Sequence, residues 1–207
     1  MQTTNSSSAT STRRNLRWRV VDIVVASIIG VASGVVFLFW NVAYGPLSLP
    51  LAVTPGLSAL LGGGWLFAGV LGGLIIRKPG AALFAELVAA VVSALVGNQW
   101  GFSTLIWGLV QGLGAEIVFA AFLYGSYRLY VALLAGLGAG IAMAFLDTTF
   151  TDYAVLDPAF KAVYYVSAAL SGVLIAGLLS WAAMRGLASA GALSRFAAGR
   201  EVRRKAS

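Results

Sequence analysis

The sequence predicts an all-α integral membrane protein of six transmembrane helices with both termini in the cytoplasm. Three observations predict it. Hydrophobic residues make up 59% of the chain and charged residues only 10%, whereas a soluble domain carries roughly 25% charged residues. Apolar runs of bilayer length, about 20 residues each, follow one another between Pro, Gly and charged punctuation. Basic residues collect on one side when six helices alternate across a membrane.

Residues 1–16 form a polar and basic tail, rich in Ser and Thr up to residue 12 and without apolar period, which predicts disorder. The membrane domain spans residues 17–186. Its first helix runs from about Val20 to Tyr44, too long for a signal-peptide core and followed by no small-residue cleavage site. The second runs from Gly56 to Ile76 and stops at Arg77-Lys78-Pro79. The third runs from Gly80 to Gly97, the fourth from Ser103 to Tyr124, the fifth from Tyr127 to Phe150 and the sixth from Pro158 to Arg185. Residues 187–207 form a basic cytoplasmic tail, partly amphipathic, that suits a lipid surface.

Of the fourteen Lys and Arg residues, four precede the first helix, and Arg77 and Lys78 lie between the second and third. Arg128 lies between the fourth and fifth, and six more follow the sixth. Only Lys161 falls on the opposite side. A five- or seven-helix reading would split these clusters across the bilayer.

The net charge of +7 sits at the termini and in short loops and makes no aromatic-interleaved stripe of the kind that reads nucleic acid. With neither Cys nor His in the chain, disulfides, thiolate or imidazole metal sites and histidine-based catalysis are excluded. No phosphate-binding G-x-x-x-x-G-K-[ST] loop is present. These absences predict neither an enzyme nor a cofactor, and a membrane enzyme using a pair of Glu residues is the weaker reading.

Several polar residues inside apolar spans need a reason. Glu86 on the third helix and Glu116 on the fourth each cost roughly 2.5–3.5 kcal/mol to place at a bilayer centre, so they are expected to face the bundle interior. A hairpin with its midpoint near Gly101 puts the two at nearly the same depth. Each either lines a solute path or ties two helices together. Glu86, Ala90, Ser93 and Gly97 share one helix face, and Asn98, Gln99 and Trp100 follow at its outer end. Gln111 needs a partner for its amide, and Trp107 lies one turn above it. Trp40, Asn41 and Tyr44 end the first helix on the outer side. Tyr164, Ser167 and Ser171 share a face of the sixth. Aromatics with polar groups between them suit a cationic or heteroaromatic solute as a group, although any one of them alone is more often interfacial belt or packing. Ala26, Gly30 and Gly34 are spaced for close helix approach, either within the chain or against a partner subunit.

The segments Arg77-Lys78-Pro79-Gly80-Ala81-Ala82-Leu83-Phe84-Ala85-Glu86-Leu87, Gly97-Asn98-Gln99-Trp100-Gly101 and Gln111-Gly112-Leu113-Gly114-Ala115-Glu116 resemble the YkoE family. Its members are substrate-binding S components of energy-coupling factor (ECF) transporters. The resemblance covers most of residues 17–186. It implies a six-helix S component in a prokaryotic plasma membrane, taking up thiamine or its hydroxymethylpyrimidine precursor. It also implies a transmembrane coupling subunit and cytoplasmic ATPases as partners. It favours Glu86 as the carboxylate that meets the solute, and Ala26, Gly30 and Gly34 as the face that docks the coupling subunit. Another heteroaromatic vitamin, or a structural subunit with no ligand, are the alternatives.

Overall fold

The structure, a computed structural model, describes residues 16–206. Apart from Leu16, the expected polar tail lies outside the described residues. Among the described residues every regular element is helical. The first helix, α1 (Val20–Ser48), runs one turn beyond its expected end and holds Pro46 in its last turn. After a short 3-10 turn at Pro50–Val53 comes a 3-10 helix, Leu57–Trp65, which passes into α2 (Phe67–Ile76). Next are α3 (Ala81–Val96), α4 (Thr104–Ala121) and α5 (Leu129–Phe150). The last long rod is α6 (Pro158–Ser171), a π-helical stretch (Gly172–Leu179) and α7 (Ser180–Ser189). The chain closes with α8 (Ala197–Ala206).

Five of these stretches are long and apolar enough to cross a membrane. The third expected helix, α3, is apolar but has only 16 residues. Its ends are set by Gly80 and Gly97, whose φ angles of 82° and 102° break the helix on either side in a region that L side chains avoid.

The bundle is arranged around α2. The span Leu57–Ile76, made of the 3-10 helix and α2, is 72% buried, against 28% for α1; α2 contacts α1, α3, α4, α5, α7 and the π-helical stretch, while α1 presents most of its surface outward. Around α2, α1 packs on α3, α3 on α4, α4 on α5, and α5 on α6 and its π-helical continuation. Small residues make these approaches possible, as close packing replaces the hydrophobic effect between helices in lipid. A Cβ on Gly30 would meet Val88 at 2.6 Å and one on Gly34 would meet Val92 at 2.6 Å. The Ala26–Gly30–Gly34 face, expected to dock a partner, is therefore filled by α3 of the same chain. Spacing could not distinguish the two because both uses demand the same small residues. Gly136 and Gly140 on α5 close against Gly172 and Ala168 in the same way.

The C-terminal segment, expected as a basic, partly amphipathic tail suited to a lipid surface, packs on the basic end of the bundle through its apolar residues. Phe196 and Ala198 are buried, α8 packs on α7 and α2, and Glu201 pairs with Arg77 at 3.0 Å. Arg19, Arg77, Lys78, Arg128 and Arg200 all line a cavity at this basic end of the molecule.

Candidate functional site

At the opposite end a cavity of about 340 Å³ opens between α1, the 3-10 helix, α3, α4, α5 and α6. Its shape begins with Gly62-Gly63-Gly64. In a 3-10 helix three successive residues point to three sides, and each of these glycines admits a different neighbour: Met143 of α5 at Gly62, Ser171 at Gly63 and the Trp40 indole at Gly64. Ser171 fixes this helix by accepting from the Gly63 N–H at 2.8 Å and donating to the Leu60 carbonyl at 2.5 Å. Trp40 donates to the Leu61 carbonyl at 3.1 Å. The next residue, Trp65, is thereby turned into the cavity wall.

One wall is aromatic. The Trp65 ring lies 5.1 Å from Tyr44 and 5.3 Å from Trp100, centroid to centroid. Hydrogen bonds hold this wall in register. Trp65 Nε1 donates to Asn41 Oδ1 at 2.7 Å, and Asn41 Nδ2 donates to Ser93 Oγ at 3.2 Å. Asn98 also donates to Ser93, and its Oδ1 accepts from the Trp100 N–H and from Thr104.

The facing wall is built on α4, α5 and α6. Asp147, 8% exposed, accepts from Trp107 Nε1 at 2.6 Å through Oδ1 and from the Tyr164 hydroxyl at 2.8 Å through Oδ2. Tyr153 lies over Tyr164 at 5.3 Å. Burial, helped by the nearby Tyr44, Asp147 and Asp152, pushes the Tyr153 phenol above its ordinary range, so it stays a neutral donor.

Glu86 closes the deep end. It is 1% exposed, and Oε2 accepts from the Gly69 N–H at 2.6 Å. Oε1 has no hydrogen-bond partner among the described residues. Gln111 also lines this end and makes no hydrogen bond to another described residue. The charged residues lining the cavity are Glu86, Asp147 and Asp152; no Lys or Arg lines it.

Of the residues singled out in the sequence, Glu86, Trp100, Trp107, Gln111, Asn41 and Tyr164 line this one cavity. Asn98 stands behind the wall and sets Trp100 and Thr104. Gln99 is exposed at the α3–α4 turn. Trp40 packs on Gly64 and turns away from the cavity. Glu116 is not in it either. Its Oε1 accepts from the Gly80 N–H at 2.6 Å and from the Tyr124 hydroxyl at 2.9 Å, while Oε2 accepts from the Ala82 N–H at 2.9 Å and the Leu83 N–H at 3.4 Å. It caps α3 at the basic end, where a carboxylate suits the orphan amides of a helix N-terminus. The Tyr124 phenol, desolvated and donating to that carboxylate, is pushed up to about 12.

The depths expected for the two Glu residues therefore differ from those observed. Glu86 packs against Gly112 and Glu116 against Ala82, so Glu86 lies about one turn nearer the cavity mouth. Sequence reasoning missed Trp65 and Asp147. A signal for Asp147 existed, since it is a carboxylate within the apolar run of α5. Trp65 offered only its place after three glycines.

Comparison with known proteins bears on this architecture. Residues 21–142 match a family described as the permease component of an ABC-type cobalt transport system. The chain is 39% identical over 192 residues to the putative HMP/thiamine permease protein YkoE of Bacillus subtilis (strain 168), covering 91% of this chain and 94% of that protein.

The chain belongs to the YkoE family.

A crystal structure of an S component of an ECF transporter superposes with a TM-score of 0.79 at 34% identity, covering 91% of this chain and 95% of that one. The family membership and the apolar helices make this a multi-pass transport protein of a prokaryotic plasma membrane, not an enzyme.

Proposed function

We propose that the chain is the solute-binding membrane subunit of an ATP-driven ECF importer, and that its solute is thiamine or the hydroxymethylpyrimidine precursor of thiamine. The observation that carries this reading is the unfilled Oε1 of Glu86 at the end of an aromatic cavity. A buried acceptor without a donor is costly, of order 1–3 kcal/mol, and a ligand that donates to it recovers that cost. Thiamine and hydroxymethylpyrimidine share an aminopyrimidine ring whose amino group is such a donor. The ring is flat and suits the Tyr44–Trp65–Trp100 wall, and the Gln111 amide offers a further donor and acceptor. The cavity volume of about 340 Å³ lies within the range of small-molecule sites, about 300–1,000 Å³.

Cobalt, named in the family description, fits these residues less well. Among the described residues no three His, Cys, Asp or Glu side chains come together to hold a metal ion.

The positive-inside bias supports six crossings with both termini cytoplasmic, α3 crossing within the shelter of α1, α2 and α4. The cavity then opens outward, and the basic end faces the cytoplasm. ATP hydrolysis belongs to cytoplasmic partners reached through a transmembrane coupling subunit. Because α3 fills the Ala26–Gly30–Gly34 face, that subunit meets other surfaces of α1 or of the bundle.

Thermal unfolding of the detergent-purified chain against thiamine, hydroxymethylpyrimidine, riboflavin and biotin tests the reading. A ligand at a hundredfold excess over Kd stabilises by about 2.7 kcal/mol. A rise with thiamine or the pyrimidine alone is expected. A rise with riboflavin or biotin alone replaces the solute, and no rise with any of them rejects a solute-binding role.

A further inference from the structure

We infer that the cavity at the basic end of the bundle is a binding site for a phosphate group, carried by the headgroup of an anionic phospholipid or by a soluble phosphate ester.

This cavity measures about 590 Å³ and is walled by the entry to α1, the α2–α3 turn, the α4–α5 turn and the start of α8. Its described lining residues include five cations, Arg19, Arg77, Lys78, Arg128 and Arg200, and one acid, Glu201. The bias of basic residues toward one membrane face calls for cations at these helix ends. It does not call for their convergence on one concavity. Like charges gathered around a cavity repel one another, and an anion placed between them relieves that repulsion.

Two of the cations have charge to spare. Arg19 holds Asp22 at 2.7 Å and Arg77 holds Glu201 at 3.0 Å. Arg128, exposed at the start of α5, makes no side-chain hydrogen bond or ion pair to another described residue. Arg200 donates to the Arg195 carbonyl at 3.0 Å and forms no ion pair among the described residues. Guanidinium groups grip phosphate oxygens in pairs.

Arg77 is the fixed point of the site. It ends α2 in the left-handed region, with φ of 59°, where glycine is the usual residue. Only 14% of its side chain is exposed. Its guanidinium lies over the Tyr127 ring at 4.6 Å, and Nε donates to the Leu74 carbonyl at 3.1 Å. The remaining donor already meets an oxyanion, the Glu201 carboxylate. That carboxylate is 40% exposed, so the pair is weak and displaceable, and it marks where a phosphate oxygen would sit.

The apolar helices α1, α2, α4 and α5 all begin or end at this cavity, which sets it at the level of lipid headgroups. Basic pockets between helices at that level take anionic headgroups. Leu16, Ile76 and Phe196 add an apolar flank that suits the glycerol end of a lipid. The lipid is therefore the favoured source of the phosphate.

The test begins with the delipidated wild-type chain in neutral detergent, so that folding of a variant is not at issue. Native mass spectrometry measures the affinity for phosphatidylglycerol and phosphatidylcholine. Thermal unfolding without lipid measures the response to inorganic phosphate and glycerol phosphate. One phosphatidylglycerol is expected to bind about tenfold or more tightly than phosphatidylcholine. Replacing Arg128 and Arg200 together by Gln should weaken it about tenfold. Replacing Arg185 and Arg195 together by Gln, two exposed cations outside the cavity, should change it less than about twofold. Glu201→Gln should tighten it about threefold by removing the competing carboxylate, whereas a purely structural Arg77–Glu201 pair would give no gain. Stabilisation by glycerol phosphate, lost when Arg128 and Arg200 are replaced, also supports the site and names a soluble ester as its source. Equal affinity for the two lipids with no response to either soluble phosphate overturns the inference. Equal losses from the two pairs of Arg replacements overturn it too, since charge anywhere on that face would then suffice.

Discussion

Glu86 and Glu116 lie on the adjacent antiparallel helices α3 and α4, about one turn apart in depth, yet their surroundings differ atom by atom. Both Glu116 oxygens are occupied, by three backbone amides at the start of α3 and by the Tyr124 hydroxyl. Glu86 has one oxygen on the Gly69 amide and the other facing no partner among the described residues. Burial alone would rank the two alike, at 1% and 8% exposed. What separates them is unfilled acceptor capacity. A satisfied carboxylate in a membrane bundle is a clamp between helices, whereas a half-satisfied one beside a cavity is poised for a ligand.

The largest expected effect comes from the clamp. Glu116→Ala leaves the α3 amides and Tyr124 without their acceptor, and is expected to destabilise the chain by about 3 kcal/mol. Chemical denaturation in detergent measures the loss, and solute Kd should stay within about twofold of wild type among folded molecules. A change in Kd without a change in stability would dissolve the distinction drawn above. Gly64→Ala comes next. Its Cβ would run into the Trp40 indole, and overpacking of this kind costs about 1–3 kcal/mol. Lower stability, together with weaker binding because Trp65 is displaced, is expected from paired unfolding and titration curves. Trp65→Leu removes one ring from the aromatic wall and is expected to weaken solute binding about tenfold, read by titration calorimetry at unchanged unfolding midpoint. The smallest effect is that of Tyr124→Phe, which deletes one of the bonds to Glu116 and should cost about 1 kcal/mol. In the wild-type chain the Tyr124 phenol should ionise near 12, seen as a late step in tyrosinate absorbance. The folded pKa is raised, so this group's contribution to stability is complete below pH 10 and is lost as pH rises toward 12.

The sequence made the helical membrane class legible through its composition, and the basic end through Arg77, Lys78 and Arg128. Helix ends were legible where Pro or Gly marked them, as at Pro158 and Gly97. The 3-10 helix at Leu57–Trp65 was not, because in a uniformly apolar run a period of 3.0 leaves no polar stripe to distinguish it from 3.6. The one-turn error in the depth of Glu86 relative to Glu116 came from assuming a symmetric turn, whereas residues after Asn98 coil into a 3-10 turn at Gly101–Ser103. The site was half legible. Polar residues within apolar helices pointed to Glu86, Gln111 and Asn41, but they pointed equally to Glu116, since burial cost is visible in sequence and hydrogen-bond satisfaction is not. Aromatic residues divided the same way: Trp100 and Trp107 line the cavity, while Trp40 is spent on packing against Gly64.

The most direct test of the account compares Glu86→Gln with Glu116→Gln, each unfolded thermally with and without saturating thiamine. Glu86→Gln should unfold at the wild-type temperature without solute and lose most of the stabilisation that thiamine gives. Glu116→Gln should unfold earlier than wild type and keep that stabilisation. The reverse pattern, with thiamine protection surviving in Glu86→Gln and vanishing in Glu116→Gln, would contradict the assignment of the cavity as the binding site.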